Sequence, residues 1–84
     1  MIQRSIVARR GIQNTEAAAE FVQLAMAYRS TLELETNGHC VNPKSLLGVL
    51  CLGIEAGSLL TLTADGADAE DAIKHLTAFF TERP

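Results

Sequence analysis

Residues 37–53 read "NGHCVNPKSLLGVLCLG", and the parsing of this stretch decides the fold. Asn37-Gly38 is the strongest turn signal in the chain, because both residue types tolerate the positive φ of a two-residue type I′ hairpin turn. Before it, "TLELE" (31–35) places Leu32 and Leu34 on one side and the glutamates on the other, the period of a half-buried strand. "HCVN" (39–42) is then the returning strand. Pro43 ends it, since proline has no N–H to give to a ladder. "KSLLGVLCLG" reads as a short helix in which Ser45 is a natural N-cap and Leu46, Leu47 and Leu50 follow.

The same reasoning extends to both ends. "IQRSIVA" (2–8) alternates weakly and reads as a strand that Gly11 breaks. A helix is predicted from Thr15 to Tyr28, capped by Asn14 or Thr15, with Ala18, Phe21, Val22, Ala25 and Tyr28 on one stripe. Met26 and Tyr28 read as packing residues at its end. After Gly57-Ser58, "LLTLTA" (59–64) is a fourth strand with Leu60 and Leu62 on one face, and Asp65-Gly66 turns the chain. Asp68 is expected to cap a last helix, with Glu70 and Asp71 in its first turn. Its buried stripe is Ala69, Ala72, Ile73, Leu76, Phe79 and Phe80, and Pro84 closes the chain. The order β-α-β-β-α-β-α predicts a single α+β domain over 1–84, with helices covering one face of a four-stranded antiparallel sheet.

Bulk properties narrow the function. The chain has 84 residues, and 48% of them are apolar, which excludes disorder. Net charge is −3, and the Lys and Arg residues are scattered apart from Arg9-Arg10, so nucleic acid is not the expected partner. Arg9-Arg10 reads as a solvated strand end in preference to a guide for an acidic partner. Cys40 and Cys51 lie in apolar company and are expected to be buried thiols rather than a disulfide or redox pair. No CxxC or His-Cys spacing suggests a metal site, and His39 and His75 read as incidental. The nearly apolar run 46–54 is too short for membrane insertion. "MIQRSIVARR" lacks a signal-peptide pattern, so a cytoplasmic location is expected.

At residues 37–53 the chain resembles HPr, the histidine-containing phosphocarrier family of the bacterial sugar phosphotransferase system. The family's hairpin turn, Lys-Ser pair and apolar short helix correspond here to Asn37-Gly38, Lys44-Ser45 and Leu46-Leu47-Gly48-Val49-Leu50. "EFVQLA" (20–25) and "DAEDAIKHL" (68–76) also look like family segments. The resemblance implies an open-faced β-sandwich, in agreement with the stripes above.

The family's active-site pattern, Gly, aliphatic, His, small, Arg, Pro, small, is not kept. This chain reads Gly11, Ile12, Gln13, Asn14, Thr15, Glu16, Ala17. Matching Gly-Ile places Gln13 at the phosphorylated histidine; counting back from Ser45 places Asn14 there. The arginine position becomes Thr15 or Glu16. A carboxamide nitrogen has its lone pair delocalised into the carbonyl and cannot carry a phosphoryl group. Glu16 is an ordinary dipole-favoured acid in a first helical turn, or an occupant of the anion site. In lacking the histidine, the chain is similar to the HPr-like catabolite-repression proteins (Crh). Those keep the arginine, which belongs to their contact surface for a transcription factor, and this chain does not.

The resemblance also implies phosphorylation at Ser45 by an HPr kinase/phosphorylase. Lys44, Leu46, Leu47, Gly48 and Leu50 would form the partner-binding surface. A plain N-cap role for Ser45 is compatible with this. Each leucine taken singly is expected in the core, with one or two left exposed for docking. The implied function is a regulatory protein whose partners are that kinase and a transcriptional regulator or transport component. The alternative is a phosphorylation-independent binding module. No catalytic residue, cofactor or metal is expected.

Overall fold

In the computed structural model, which describes residues 1–82, the hairpin forms as its turn requires. Asn37 and Gly38 have φ of 53° and 79°, and Thr36 pairs with His39 across them. The elements are β1 (Ile2–Val7), α1 (Thr15–Met26), β2 (Thr31–Thr36), β3 (His39–Val41), α2 (Leu46–Leu52), β4 (Leu59–Asp65) and α3 (Ala69–Thr81). The strands form one antiparallel sheet in the order β1-β4-β2-β3. This is the expected α+β open-faced sandwich.

Alternation along the strands separates the two faces. Leu32 and Leu34 of β2 and Leu60, Leu62 and Ala64 of β4 point into the core. Phe21 of α1 and Ile73, Leu76, Phe79 and Phe80 of α3 cover them. The three phenylalanines form one cluster, with ring centroids 5.1 to 5.2 Å apart, close to preferred aromatic geometry. The opposite face is mainly polar, with Val7 and Leu59 exposed at one end of the β1–β4 pair. On that face Gln3 Nε2 donates to Thr63 Oγ1 at 3.3 Å and the Ser5 and Thr61 hydroxyls pair at 3.1 Å.

Several expectations are corrected. Cys40 and Cys51 are exposed rather than buried. Cys40 stands opposite Glu35 on the uncovered face, where alternation, not apolar neighbours, decides burial. Met26 is also exposed. The first helix stops at Met26, so Tyr28 lies beyond it and is half-buried. Arg10 is not a solvated end: its guanidinium lies 4.1 Å over the Phe79 ring and 3.8 Å from Glu20. Pro84 lies outside the described residues.

Asp68 holds the cap position of α3 but makes no cap bond with its side chain. Its carboxylate instead accepts from the Arg29 N–H at 2.8 Å, the Ser30 N–H at 3.0 Å and the Ser30 hydroxyl at 2.5 Å. Three donors converging from the α1–β2 turn outweigh the one amide a cap would satisfy. Gly66 permits the approach, because a Cβ there would lie 2.6 Å from Ser30 Oγ.

The Ser30 hydroxyl, followed by the Arg29 N–H, holds the Asp68 carboxyl below its ordinary range. A group with a depressed folded pKa binds protons more readily in the unfolded chain. Its contribution is therefore present above the unfolded value and is lost as pH falls through the folded one. Urea unfolding of Asp68→Asn across the acid range should give a flatter loss of stability below about pH 4 than the native chain. Parallel acid limbs would remove Asp68 from this role.

Candidate functional site

The segment between β3 and α2 is built around Asn42 and Pro43. The Ser45 N–H donates to the Asn42 carbonyl at 2.9 Å, and the Lys44 N–H donates to Asn42 Oδ1 at 2.9 Å. Pro43, which needs no donor partner, is buried inside this turn. Ser45 then adopts an extended conformation, and its Oγ accepts from the Gly48 N–H at 3.2 Å. The expected N-cap is therefore in place. Gly48 is where α2 approaches β3, since a Cβ there would sit 3.3 Å from both Ser45 Oγ and Val41 Cβ.

The leucines of α2 divide as expected for so short a helix, with two of Leu46, Leu47 and Leu50 left outside the core. Val49 is the buried residue of the helix and Leu50 is half-buried against the core. Leu46 is 40% exposed and Leu47 73% exposed: core placement, expected of each leucine singly, fails for these two, and they are the one or two leucines expected to stay exposed. A seven-residue helix turns only one narrow stripe inward, and Val49 occupies it. Two apolar side chains therefore stand beside Ser45 in solvent.

Lys44 does not present a free charge. Its Nζ donates to the Tyr28 carbonyl at 2.8 Å and the Ser30 carbonyl at 3.2 Å. A flexible lysine stem reaches carbonyls left without helical partners beyond the end of α1. The α1–β2 turn is thus held at its carbonyls by Lys44 and at its N–H groups by Asp68.

The start of α1 is tied to the segment just after α2. The Ile12 N–H donates to the Ile54 carbonyl at 2.8 Å, and a Cβ on Gly11 would fall 2.4 Å from that same carbonyl oxygen. These contacts pin Gly11-Ile12. Gln13 is exposed, and Asn14 rather than Thr15 is the cap, its Oδ1 accepting from the Ala17 N–H at 2.8 Å. Thr15 and Glu16 are exposed in the first turn. Arg10, close by in sequence, is committed to Phe79 and Glu20.

His75 has a partner that sequence reasoning missed: the Tyr28 hydroxyl hydrogen-bonds its Nδ1. Burial first, then Asp71 and Asp68, raises the Tyr28 phenol above its ordinary range. His39 is exposed. Cys40 and Cys51 line a cavity of about 370 Å³ between the β2–β3 hairpin and the last turn of α2. Desolvation pushes the Cys40 thiol up, with Glu33 and Glu35 adding to it. Among the described residues no group of three His, Cys, Asp or Glu side chains could hold a metal ion.

Residues 3–82 match the family described as "PTS HPr component phosphorylation site". The chain is 42% identical over 80 residues to phosphocarrier protein HPr of Buchnera aphidicola, covering 95% of this chain and 93% of that one. It is 37% identical over 84 residues to the HPr-like protein Crh of Bacillus subtilis, covering 98% of each. The crystal structure of a phosphocarrier protein HPr from Bacillus anthracis matches with a TM-score of 0.89 and 35% identity, over 95% of this chain and 96% of that one. The chain belongs to the HPr family. It is an HPr-like protein of the phosphotransferase system, with Crh-like relatives. Among residues 1–82 no helix is long and apolar enough to cross a membrane.

The Ser45 cap can be weighed directly. Ser45→Ala should lower stability by about 1 kcal/mol in urea unfolding. Ser45→Asp should lose less, because a carboxylate still accepts from the Gly48 N–H. Equal stability of all three chains would show that the bond contributes nothing.

Proposed function

We propose that this chain is a regulatory HPr-like protein switched by phosphorylation at Ser45 and unable to carry phosphate on histidine. The observation that carries the reading is the juxtaposition at the start of α2. A serine hydroxyl in a cap bond stands beside two solvent-exposed leucines, Leu46 and Leu47. A kinase and an effector would find the acceptor and an apolar contact on one short helix. Lys44, Gly48 and Leu50 shape this surface from behind: Lys44 holds the turn, Gly48 sets the approach to β3, and Leu50 anchors the helix in the core.

The loss of histidine carriage is supported by the residues at the start of α1. Whichever of Gln13 and Asn14 takes the histidine position, a carboxamide stands there, and the Asn14 oxygen is already engaged by the Ala17 N–H. Thr15 and Glu16 supply no cation to steady a moving phosphoryl group. Glu16 adds negative charge at a helix start that would otherwise favour an anion. Restoring only Gln13→His leaves both deficits in place.

The expected partners are proteins in the cytoplasm: an HPr kinase/phosphorylase and a transcriptional regulator or transport component. One observation favours a second reading. The Ser45 cap bond and the exposed leucines are complete without phosphate, as a phosphorylation-independent binding module would need.

Two incubations separate these readings. With phosphoenolpyruvate and the system's first enzyme, the chain should take up no acid-labile phosphate; label on any histidine would overturn the loss of carriage. With ATP and an HPr kinase, acid-stable phosphate should appear on Ser45 and vanish in Ser45→Ala. If an intact HPr in the same tube is labelled and this chain is not, the binding module becomes the better reading.

A further inference from the structure

We infer that Lys44 couples Ser45 to the α1–β2 turn: a phosphate on Ser45 draws the Lys44 ammonium away from the Tyr28 and Ser30 carbonyls, and the modification is thereby relayed to the turn that joins α1 to β2 and faces Asp68. This rests on the Ser45 reading for its biological occasion only.

The resting state gives Lys44 a defined position. Lys44 is half-buried, and its ammonium donates to two neutral carbonyls, at 2.8 Å and 3.2 Å. One of them, Tyr28 C=O, belongs to the same peptide unit as the Arg29 N–H, which donates to Asp68 Oδ2 at 2.8 Å. That peptide is gripped at both ends by opposite charges, and each contact polarises it in favour of the other. Releasing the lysine therefore weakens the Asp68 contact as well.

Phosphorylation changes the competition. The phosphate brings close to two negative charges at neutral pH and three acceptor oxygens. A charge-assisted bond from an ammonium to such an oxygen is roughly twice as strong as one to a neutral acceptor. Lys44 is the immediate neighbour of Ser45, and its four-carbon stem allows the ammonium to turn. The first turn of α2 reads Leu46-Leu47-Gly48, so no other cation is supplied there.

The relay has a specific output. Once Lys44 leaves, the turn is held to Asp68, ahead of α3, through its N–H groups and the Ser30 hydroxyl. The Tyr28 ring, which bonds His75 on α3, sits on the same residue whose carbonyl is freed. Modification at Ser45 thus loosens the joint between α1 and α3 without touching the core.

Chemical synthesis of the full chain with phosphoserine at position 45 tests this without a kinase, so failure of the relay and failure of kinase recognition are distinguishable. Carbonyl ¹³C resonances of Tyr28 and Ser30 should move upfield relative to the unmodified chain, toward their positions in Lys44→Met. Adding phosphoserine to Lys44→Met should move them no further. Native resonances for Leu34 and Leu62 amides confirm that each chain is folded. The decisive comparison keeps Lys44 in both chains and stands even if Lys44→Met does not fold. If Tyr28 and Ser30 carbonyls keep their unmodified positions while Ser45 carries phosphate, the coupling is wrong.

Discussion

The peptide joining Tyr28 to Arg29 is held by a lysine ammonium at its carbonyl and an aspartate carboxylate at its N–H. The next residue repeats the pattern: Ser30 donates its N–H and hydroxyl to Asp68, and its carbonyl accepts from Lys44. Four parts of the fold meet at these three residues: the end of α1, the start of β2, the turn leading into α2, and the first residues of α3. Apolar burial stabilises the helices against the sheet but is nondirectional. The charged contacts are directional, and they set where α2 and α3 begin relative to the sheet.

The position of the candidate site follows from this constraint. Ser45 is presented by a turn whose next-door residue is anchored in the α1–β2 connection. Its helix is too short to be placed by burial alone, having Val49 as its one fully buried side chain. The anchor and the close approach at Gly48 do the remaining work of orientation. The same shortness leaves Leu46 and Leu47 in solvent. An acceptor hydroxyl, a fixed frame and an apolar patch therefore come from one economy of structure. At the start of α1 the frame is equally well kept, with Gly11-Ile12 pinned to Ile54, while the side chains beyond it offer no nucleophile and no cation. That answers why a built helix start can persist without chemistry: its backbone contacts serve the fold whatever residue follows.

Much of the fold was legible in the chain because it depends on local rules. Asn37-Gly38 announces its hairpin, the leucine alternation of β2 and β4 announces the sheet, and the stripe from Ala69 to Phe80 announces α3. The candidate site was legible in its serine cap, for the same reason. What was not legible depends on distant partners. Lys44 bonds residues 14 and 16 positions away, and Asp68 bonds residues 38 and 39 positions away; nothing in either neighbourhood signals the other. Asp68 therefore looked like a helix cap and Lys44 like part of an exposed partner-binding surface. Cys40 was misjudged, and which leucines of α2 stay exposed was left open, because hydrophobic neighbours in sequence do not report which face of a strand or short helix a residue takes.

The account turns on Lys44 and Asp68 acting on one shared structure rather than on two separate ones. A double-mutant cycle in urea unfolding, with Lys44→Met, Asp68→Asn and the pair together, measures this directly. Residues that share a partner couple, whereas independent sites add. The account predicts that the double variant loses clearly less stability than the sum of the single losses, because the first substitution already frees the peptide that the second would release. Losses that add within experimental error would contradict it.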